Sequence, residues 1–213
     1  MFNITKPDFR GILMAAFAAV ALFVTPAAQA VKLRQQNLTE LITEAQSIVS
    51  GSVTDVHDGI AENGIPYTEI TIEVGSSAKG RIAANSTYTF RQFGLLKPRV
   101  MPNGKTLLST APEGFPQWRA GQTVVAFLYT PAQLTGLQTT AGLSQGLLTI
   151  ENGRLMNELG NVGLFDGVEI NDQLLSSEER DMLKSHGPVN PGTFMGLVGR
   201  AINGRWIENG EMR

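Results

Sequence analysis

The stretch that decides the fold runs from Tyr67 to Val74 and reads Tyr-Thr-Glu-Ile-Thr-Ile-Glu-Val. Its even-numbered positions, Thr68, Ile70, Ile72 and Val74, alternate with tyrosine, glutamate, threonine and glutamate. A period of two places one set of side chains toward a core and the other toward water. This alternation is typical of a half-buried antiparallel strand.

A further strand is predicted on each side of this stretch. The first covers about residues 47–57, and the Asn63-Gly64 pair after it predicts the positive φ angles of a hairpin turn. The other covers about residues 86–93 and follows a turn at Lys79-Gly80. Gly51, inside the first strand, indicates a bulge or a close backbone approach. Three strands joined in this way form a meander, which can begin a barrel or a sandwich.

The second half of the sheet is predicted from three patterns. Residues 123–129 are almost continuously apolar, which favours a central strand that is buried on both faces. Residues 137–143 are a candidate short strand. Residues 146–150 and 154–157 flank Asn152-Gly153 and indicate a hairpin. About six strands of this spacing predict a mainly β fold, a small antiparallel OB-like barrel over residues 31–160.

Helices are predicted on both sides of the barrel. Asn37 as N-cap, with Glu40 at the third helical position, begins an amphipathic helix over residues 38–47. The C-terminal extension, residues 161–213, is expected to hold one or two helices and a tail. These are a helix from Ser176 or Ser177 to about Ser185, a terminal helix over residues 193–202, and a frayed tail over residues 205–213.

The first 30 residues have the pattern of a signal peptide. Lys6 and Arg10 precede an uncharged apolar run over residues 12–24, and Ala28-Gln29-Ala30 fits the small-residue rule for cleavage before Val31. The run is shorter than the about 20 residues that span a bilayer. We therefore expect an exported protein, periplasmic or secreted, with no stable membrane anchor after cleavage.

Composition restricts the classes of partner and site. The formal net charge is −2, and no basic stripe carries interleaved aromatic residues, so we expect no nucleic-acid partner. The chain has no cysteine, which excludes disulfides and thiolate metal sites. The hydrophobic core must therefore hold the fold without covalent crosslinks.

The pattern of the sheet is interrupted between Gly94 and Trp118. Prolines and glycines break any long element there, and irregular segments of this length in compact domains are often functional. The segment also combines basic and apolar side chains. We therefore predict a binding surface here, and a mobile segment without a ligand is an equal alternative. The candidate binding residues are Lys97, Arg99, Lys105, Phe115 and Trp118.

No pattern in the sequence supplies a complete catalytic set. Asp55 and His57 point the same way on one strand and could ligate a metal, but a third ligand of comparable quality is lacking. Ser144 lies in a Gly-x-Ser-x-Gly pattern that lacks the strand and helix of a nucleophile elbow. We expect no catalytic residues, no metal site and no cofactor.

Several short motifs occur together in an order that resembles the netrin-like domain, the OB-type barrel of the tissue inhibitors of metalloproteinases. They are Ala45-x-x-Ile-Val-x-Gly-x-Val53, the long second strand, Lys79-Gly80 and Gly121-Gln-Thr-Val-Val-Ala-Phe-Leu128. The layout is more similar still to small exported bacterial proteins of uncharacterised function that lack the cysteines. The resemblance covers residues 38–130, and 137–157 more loosely.

The resemblance implies the fold and a bias toward binding a protein, and it does not transfer the inhibitory residues. The inhibitors use an N-terminal cysteine on the protease metal, whereas the expected mature start here is Val31-Lys-Leu-Arg34. We therefore expect a non-enzymatic exported β-barrel module that binds a protein or an envelope component. The alternative is an inhibitor or accessory subunit of an exported protease, and a third class is a hydrolase that uses His57 and Asp55.

Overall fold

The structure is a computed structural model that describes residues 34–101, 103–108 and 110–213. The predicted signal peptide, residues 1–30, and the cleavage position before Val31 lie outside the described residues. Arg34–Arg213 form one compact unit. Within the described ranges, no helix has the length and apolar character needed to cross a membrane.

The described chain is mainly β, as the sequence predicts. Six strands form one antiparallel sheet in the order β3-β2-β1-β6-β7-β8, and β4 and β5 pair as a separate small hairpin. Strand pairing does not close the sheet, since β3 and β8 are its two edges, so the predicted barrel is not shown. The elements are α1 Leu38–Glu44, β1 Ser47–Ile60, β2 Pro66–Lys79, β3 Ser86–Phe93, β4 Arg99–Val100, β5 Thr106–Leu107, β6 Thr123–Leu128, β7 Leu147–Glu151, β8 Arg154–Asn157, α2 Ser177–Leu183 and α3 Pro191–Asn203.

The hairpin of β1 and β2 is the longest feature of the sheet. The predicted alternation is confirmed, because Ile70, Ile72 and Val74 are fully buried between less buried neighbours. Both strands extend beyond their predicted ends. The turn between them has a positive φ only at Gly64, so the prediction of positive φ at Asn63 was wrong. Asn63 instead accepts a hydrogen bond from the Ile65 N–H through its side-chain oxygen, at 3.2 Å.

Strand β6 separates two hydrophobic cores, which confirms its predicted burial on both faces. Val124, Ala126 and Leu128 pack with the buried faces of β1, β2 and β3, and we call this cluster the strand core. Val125 and Phe127 pack with the helices, in a cluster that we call the helix core. The helix core also contains apolar residues of all three helices, among them Leu38, Leu41, Ile42, Met182, Phe194, Leu197 and Val198.

The Lys79-Gly80 turn joins the end of β2 to the end of α1. Lys79 Nζ donates a hydrogen bond to the backbone oxygen of Ile42 at 2.6 Å, so a cation lies at the negative end of the helix. Burial lowers the pKa of Lys79. Gly80 has a φ of 91°, and a Cβ there would collide with Ser47. Only glycine allows the turn to approach β1 so closely.

Two other local predictions, on α1 and on residues 137–143, were wrong. The first helix ends at Glu44 rather than 47, because Ala45 has an extended backbone with ψ of 132°. Residues 137–143 form no strand, although single bridges join Leu137 to Arg91 and Thr140 to Leu128.

The C-terminal residues are not a frayed tail. Trp206 and Met212 are buried, at 6% and 1% exposure. Arg213 and Glu169 exchange two backbone hydrogen bonds of 2.8 and 3.0 Å. Burial of two large apolar side chains therefore holds this segment against the rest of the unit.

Gly51 tests the predicted bulge. The register of β1 and β2 shifts between Ser50 and Gly51, and a Cβ at Gly51 would lie against the backbone oxygen of Glu73. That oxygen belongs to the backbone of the sheet and cannot move aside as a flexible side chain could. We therefore expect Gly51→Ala to lower the free energy of unfolding by about 2 to 3 kcal/mol. Urea unfolding followed by circular dichroism measures the change.

Gly75→Ala is the matched control. Gly75 lies in β2, also without a positive φ, but its Cβ would meet its nearest neighbour atom at 3.7 Å, an ordinary contact. We expect a change within about 0.5 kcal/mol for this variant, as is usual for a substitution away from special features. Equal effects of the two substitutions would contradict the close approach at Gly51.

Candidate functional site

The segment from Gly94 to Trp118 is held at its base by Asp58 of β1. The Leu96 N–H donates to Asp58 Oδ2 at 2.8 Å, and the Arg99 guanidinium pairs with Asp58 Oδ1. Leu95 is buried and forms a parallel bridge with Thr110. Beyond these contacts lie β4 and β5 with their flanking residues, 96–101 and 103–108, which we call the hairpin. Its Lys97 and Lys105 are exposed.

Trp118 anchors the other end of the segment inside the strand core. Its exposure is 5%, and its ring meets Phe90 edge to face at a centroid distance of 5.4 Å. Its indole N–H donates to Gln92 Oε1 at 3.1 Å, and Gln92 Nε2 donates to the Pro116 oxygen at 3.2 Å. Because the ring is enclosed, Trp118 positions the segment and does not present a surface to a ligand.

A cleft of about 530 Å³ opens beside this segment. Its walls come from α1, the end of β3, the 94–118 segment and the connection after β6, so residues distant in sequence meet there. Phe115 is half-buried in this cleft, and Phe93 is 37% exposed. The residues around it are Glu44, Phe93, Phe115, Tyr129, Thr130, Ala132, Thr135, Leu137, Gln138 and Thr139.

One wall of the cleft carries a hydrogen-bonded carboxylate. The Tyr129 hydroxyl donates to Glu44 Oε2 at 2.5 Å, and Gln36 Nε2 donates to Glu44 Oε1 at 2.8 Å. The bond from Tyr129 lowers the pKa of Glu44, so the carboxylate is ionised at neutral pH. Burial, and then the same bond, raises the pKa of Tyr129. The cleft therefore combines aromatic walls with one fixed negative charge.

His57 lies away from the cleft, in a row of charged side chains across β1, β2 and β3. Its Nδ1 is 2.7 Å from Asp55 Oδ2 and its Nε2 is 3.2 Å from Glu69 Oε1, while Glu69 accepts from Arg91 Nε at 2.6 Å. Both ring nitrogens of His57 therefore contact carboxylates. Among the described residues, no three His, Asp or Glu side chains are grouped to hold a metal ion.

Ser144 is enclosed in a turn. It lies in a short 3-10 helix, Leu143–Gly146, and is 4% exposed. Gln145 beside it donates to the backbone oxygens of Arg34 and Gly142. The Gly-x-Ser-x-Gly pattern therefore forms a turn that holds the start of the described chain.

The structure thus separates the five candidate binding residues. Phe115 lines the cleft, Lys97 and Lys105 lie on the exposed hairpin, Arg99 is paired at its base, and Trp118 is in the core. Sequence reasoning did not identify the other side chains of the cleft, since no motif links the segments that supply them. Those side chains are chiefly Glu44, Phe93, Tyr129 and Leu137.

Comparisons of the chain with protein-family models, with curated proteins and with solved structures found no match. The similarity to the netrin-like domain therefore stays a prediction.

The contacts of Asp58 predict how firmly the hairpin is held. Asp58→Ala removes the acceptors of Leu96 and Arg99, and hydrogen bonds to a charged group contribute about 1.5 to 3 kcal/mol. We therefore expect local opening, and with it tryptic cleavage after Arg99 and Lys105, to become faster by about tenfold. Mass spectrometry of the first fragments measures this.

Asp181→Ala is the control for that experiment. Asp181 is an exposed carboxylate on α2 without an ion pair in the part of the chain that the structure describes. Its replacement should leave the first cleavages unchanged. If Asp58→Ala gives the same fragments at the parent rate, the hairpin is not held through Asp58.

Tyr129→Phe tests the wall of the cleft. Loss of the hydroxyl removes a donor that stabilises the ionised carboxylate, so the pKa of Glu44 should rise toward its ordinary value. Titration of the Glu44 side-chain carboxyl carbon by NMR measures this shift. Tyr67→Phe, a change of the same kind on β2, should leave the Glu44 titration where it is in the parent.

Proposed function

We propose that this chain is a non-enzymatic exported module that binds another protein, and that a side chain of the partner enters the cleft beside Phe93 and Phe115. The observation that carries the proposal is the cleft itself. Its accessible Phe93 and Phe115 rings lie beside the 94–118 segment and the connection after β6. Concave sites with aromatic walls and a few placed polar groups are the usual form of binding pockets.

Preorganisation of the walls supports a binding role. Phe115 lies three residues before the buried Trp118, and Phe93 lies at the end of β3 next to Gln92. The Gln92 side chain accepts a hydrogen bond from Trp118 and donates one to the Pro116 oxygen. A partner would therefore meet walls that are already ordered. Fewer side chains would have to be fixed on association, which lowers the entropic cost of binding.

The composition of the cleft indicates the side chain it would take. Two phenylalanines, a leucine and an alanine line the cleft together with three threonines, and the Glu44 carboxylate lies at one side next to Tyr129. An aliphatic or aromatic side chain would pack against the apolar walls, and a neighbouring cationic group would pair with the Glu44 carboxylate. Buried anchor side chains of this kind carry most of the binding energy of an interface. Leu134, which is 98% exposed, lies in the chain between the cleft residues Ala132 and Thr135.

Catalysis is the less favoured reading of the same surface. The cleft contains one carboxylate and no histidine, serine or lysine side chain that could complete a nucleophilic set. The hydrolase hypothesis depends on His57, whose ring nitrogens are both directed at carboxylates. We therefore propose binding without turnover.

We further propose that the sheet is an OB-like barrel, as in the netrin-like layout. The order β3-β2-β1-β6 supports this architecture. Residues 137–140 also support it, since Leu137 bridges Arg91 of β3 in parallel and Thr140 bridges Leu128 of β6. Hydrogen bonds thus link the two strands through an irregular segment rather than through a regular strand.

Photocrosslinking from the cleft tests the binding function. A photoreactive benzoylphenylalanine at position 93 should give one dominant adduct in the native envelope or culture fraction. The same group at position 159, where Leu159 is 47% exposed outside the cleft, is the control. Formation of the adduct should depend on the cleft. Adding Phe115→Ser to the protein that carries the crosslinker at position 93 should therefore reduce the adduct yield by about tenfold.

The identity and pattern of the adduct decide the proposal. An adduct from position 93 that is lost with Phe115→Ser supports binding in the cleft. The same adduct from positions 93 and 159, or one unaffected by Phe115→Ser, contradicts it. If the partner is an exported protease, an assay of its rate with and without this chain separates an inhibitor from an accessory subunit.

A further inference from the structure

The hairpin concentrates exposed apolar side chains, none of which lines the cleft. Val100 and Leu108 are each 72% exposed and Leu96 is 51% exposed. These three residues lie within one short segment whose base is tied to β1 through Asp58. Large apolar side chains that are exposed together on a segment tied to the sheet indicate an interaction surface.

The charge of this part of the chain is one-sided. The sequence contains no aspartate or glutamate from Val74 to Pro112, in a protein whose acidic residues outnumber its basic ones. The cations of that stretch are Lys79, Arg81, Arg91, Lys97, Arg99 and Lys105.

Three of these six cations are already used within the fold, whereas Lys97 and Lys105 are not. Arg91 pairs with Glu69, Arg99 pairs with Asp58, and Lys79 caps α1. Lys97 and Lys105 are exposed and form no ion pair within the ranges that the structure describes. The hairpin therefore presents two uncompensated ammonium groups beside its apolar side chains.

We propose that this hairpin inserts into the surface of an anionic phospholipid membrane, with Val100 and Leu108 among the acyl chains and Lys97 and Lys105 at the headgroups. Apolar side chains bordered by lysine suit that interface, where headgroups attract the cations and the hydrocarbon takes up the apolar groups. The unpaired lysines of the hairpin and the anionic headgroups are complementary in charge.

The small size of the hairpin favours a membrane over a protein as its occupant. A stable protein interface needs about 20 to 30 residues from each side, whereas the whole stretch from Leu96 to Leu108 has fewer residues than that. A bilayer needs no matching surface and accepts a few side chains from a projection. The inference does not depend on the proposed partner of the cleft, since the two surfaces use different residues.

Vesicle sedimentation tests the proposal. The probe is the chain from Val31 onward, which contains the whole compact unit and lacks the apolar run of residues 12–24 that could itself bind lipid. We expect it to sediment with vesicles of phosphatidylglycerol and phosphatidylcholine, and added salt should weaken this binding. Vesicles of phosphatidylcholine alone should bind it about tenfold less.

Two pairs of substitutions separate the apolar and the cationic contributions. Val100→Ser with Leu108→Ser should reduce sedimentation by about tenfold or more, because the inserted groups are lost. Lys97→Gln with Lys105→Gln should reduce it about fivefold or more and remove most of its salt dependence. The control pair, Leu159→Ser with Val162→Ser, changes exposed apolar residues elsewhere and should bind as the parent does.

A fluorescent reporter locates the contact. Because the chain has no cysteine, Leu108→Cys and Leu159→Cys each provide one site for an environment-sensitive fluorophore. Vesicles should shift the emission to the blue only from position 108. Near-ultraviolet circular dichroism, which detects the buried Trp118, verifies that every variant keeps the parent fold.

The outcomes distinguish this proposal from that of the cleft. It is overturned if the parent does not sediment with anionic vesicles, if the Val100 and Leu108 pair binds as tightly as the parent, or if the control pair loses binding equally. Loss of the crosslinked protein partner by the hairpin variants, with no vesicle binding by the parent, assigns the hairpin to a protein. Phe115→Ser should leave vesicle binding unchanged, whatever it does to the partner of the cleft.

Discussion

The fold depends on the burial of β6 on both faces. A strand that is apolar at every position from Val124 to Leu128 has no side that can face water. One face packs with residues of β1, β2 and β3, and the other with helices from both ends of the unit. This single requirement explains why α3, which begins more than 60 residues after β6, shares a core with α1.

The surface features are positioned by buried polar groups rather than by regular structure. Gln92 holds Trp118 and Pro116, Gln145 holds the start of the described chain, and Asn161 donates to the backbone of Leu155 and Gly187. A buried amide that loses its hydrogen-bond partner keeps its full desolvation cost. Each of these contacts therefore favours one conformation of the loop that it holds. The cleft and the hairpin both adjoin connections of this kind, which gives irregular segments defined shapes without a disulfide.

Local patterns in the sequence predicted the elements that are stabilised locally. The alternation from Tyr67 to Val74 and the capping box of Asn37 depend on neighbours in the chain, and both were predicted. Small residues after Val74 carry no period, so the extension of β2 to Lys79 follows only from its pairing with Ile48. The cleft and the buried C-terminus depend on contacts between distant segments, for which a single sequence offers no signal.

The charged row on the outer sheet face has a consequence for folding. In the native register Asp55 faces Thr71, and His57 faces Glu69. If β2 slipped by two residues in either direction, Asp55 would face Glu69 or Glu73, and like charges opposite each other destabilise a strand pair. Without these charges, a hairpin of this length could pair in a register shifted by two residues and still keep its apolar face inward. Electrostatic repulsion would disfavour such mispaired forms before the helices cover the sheet.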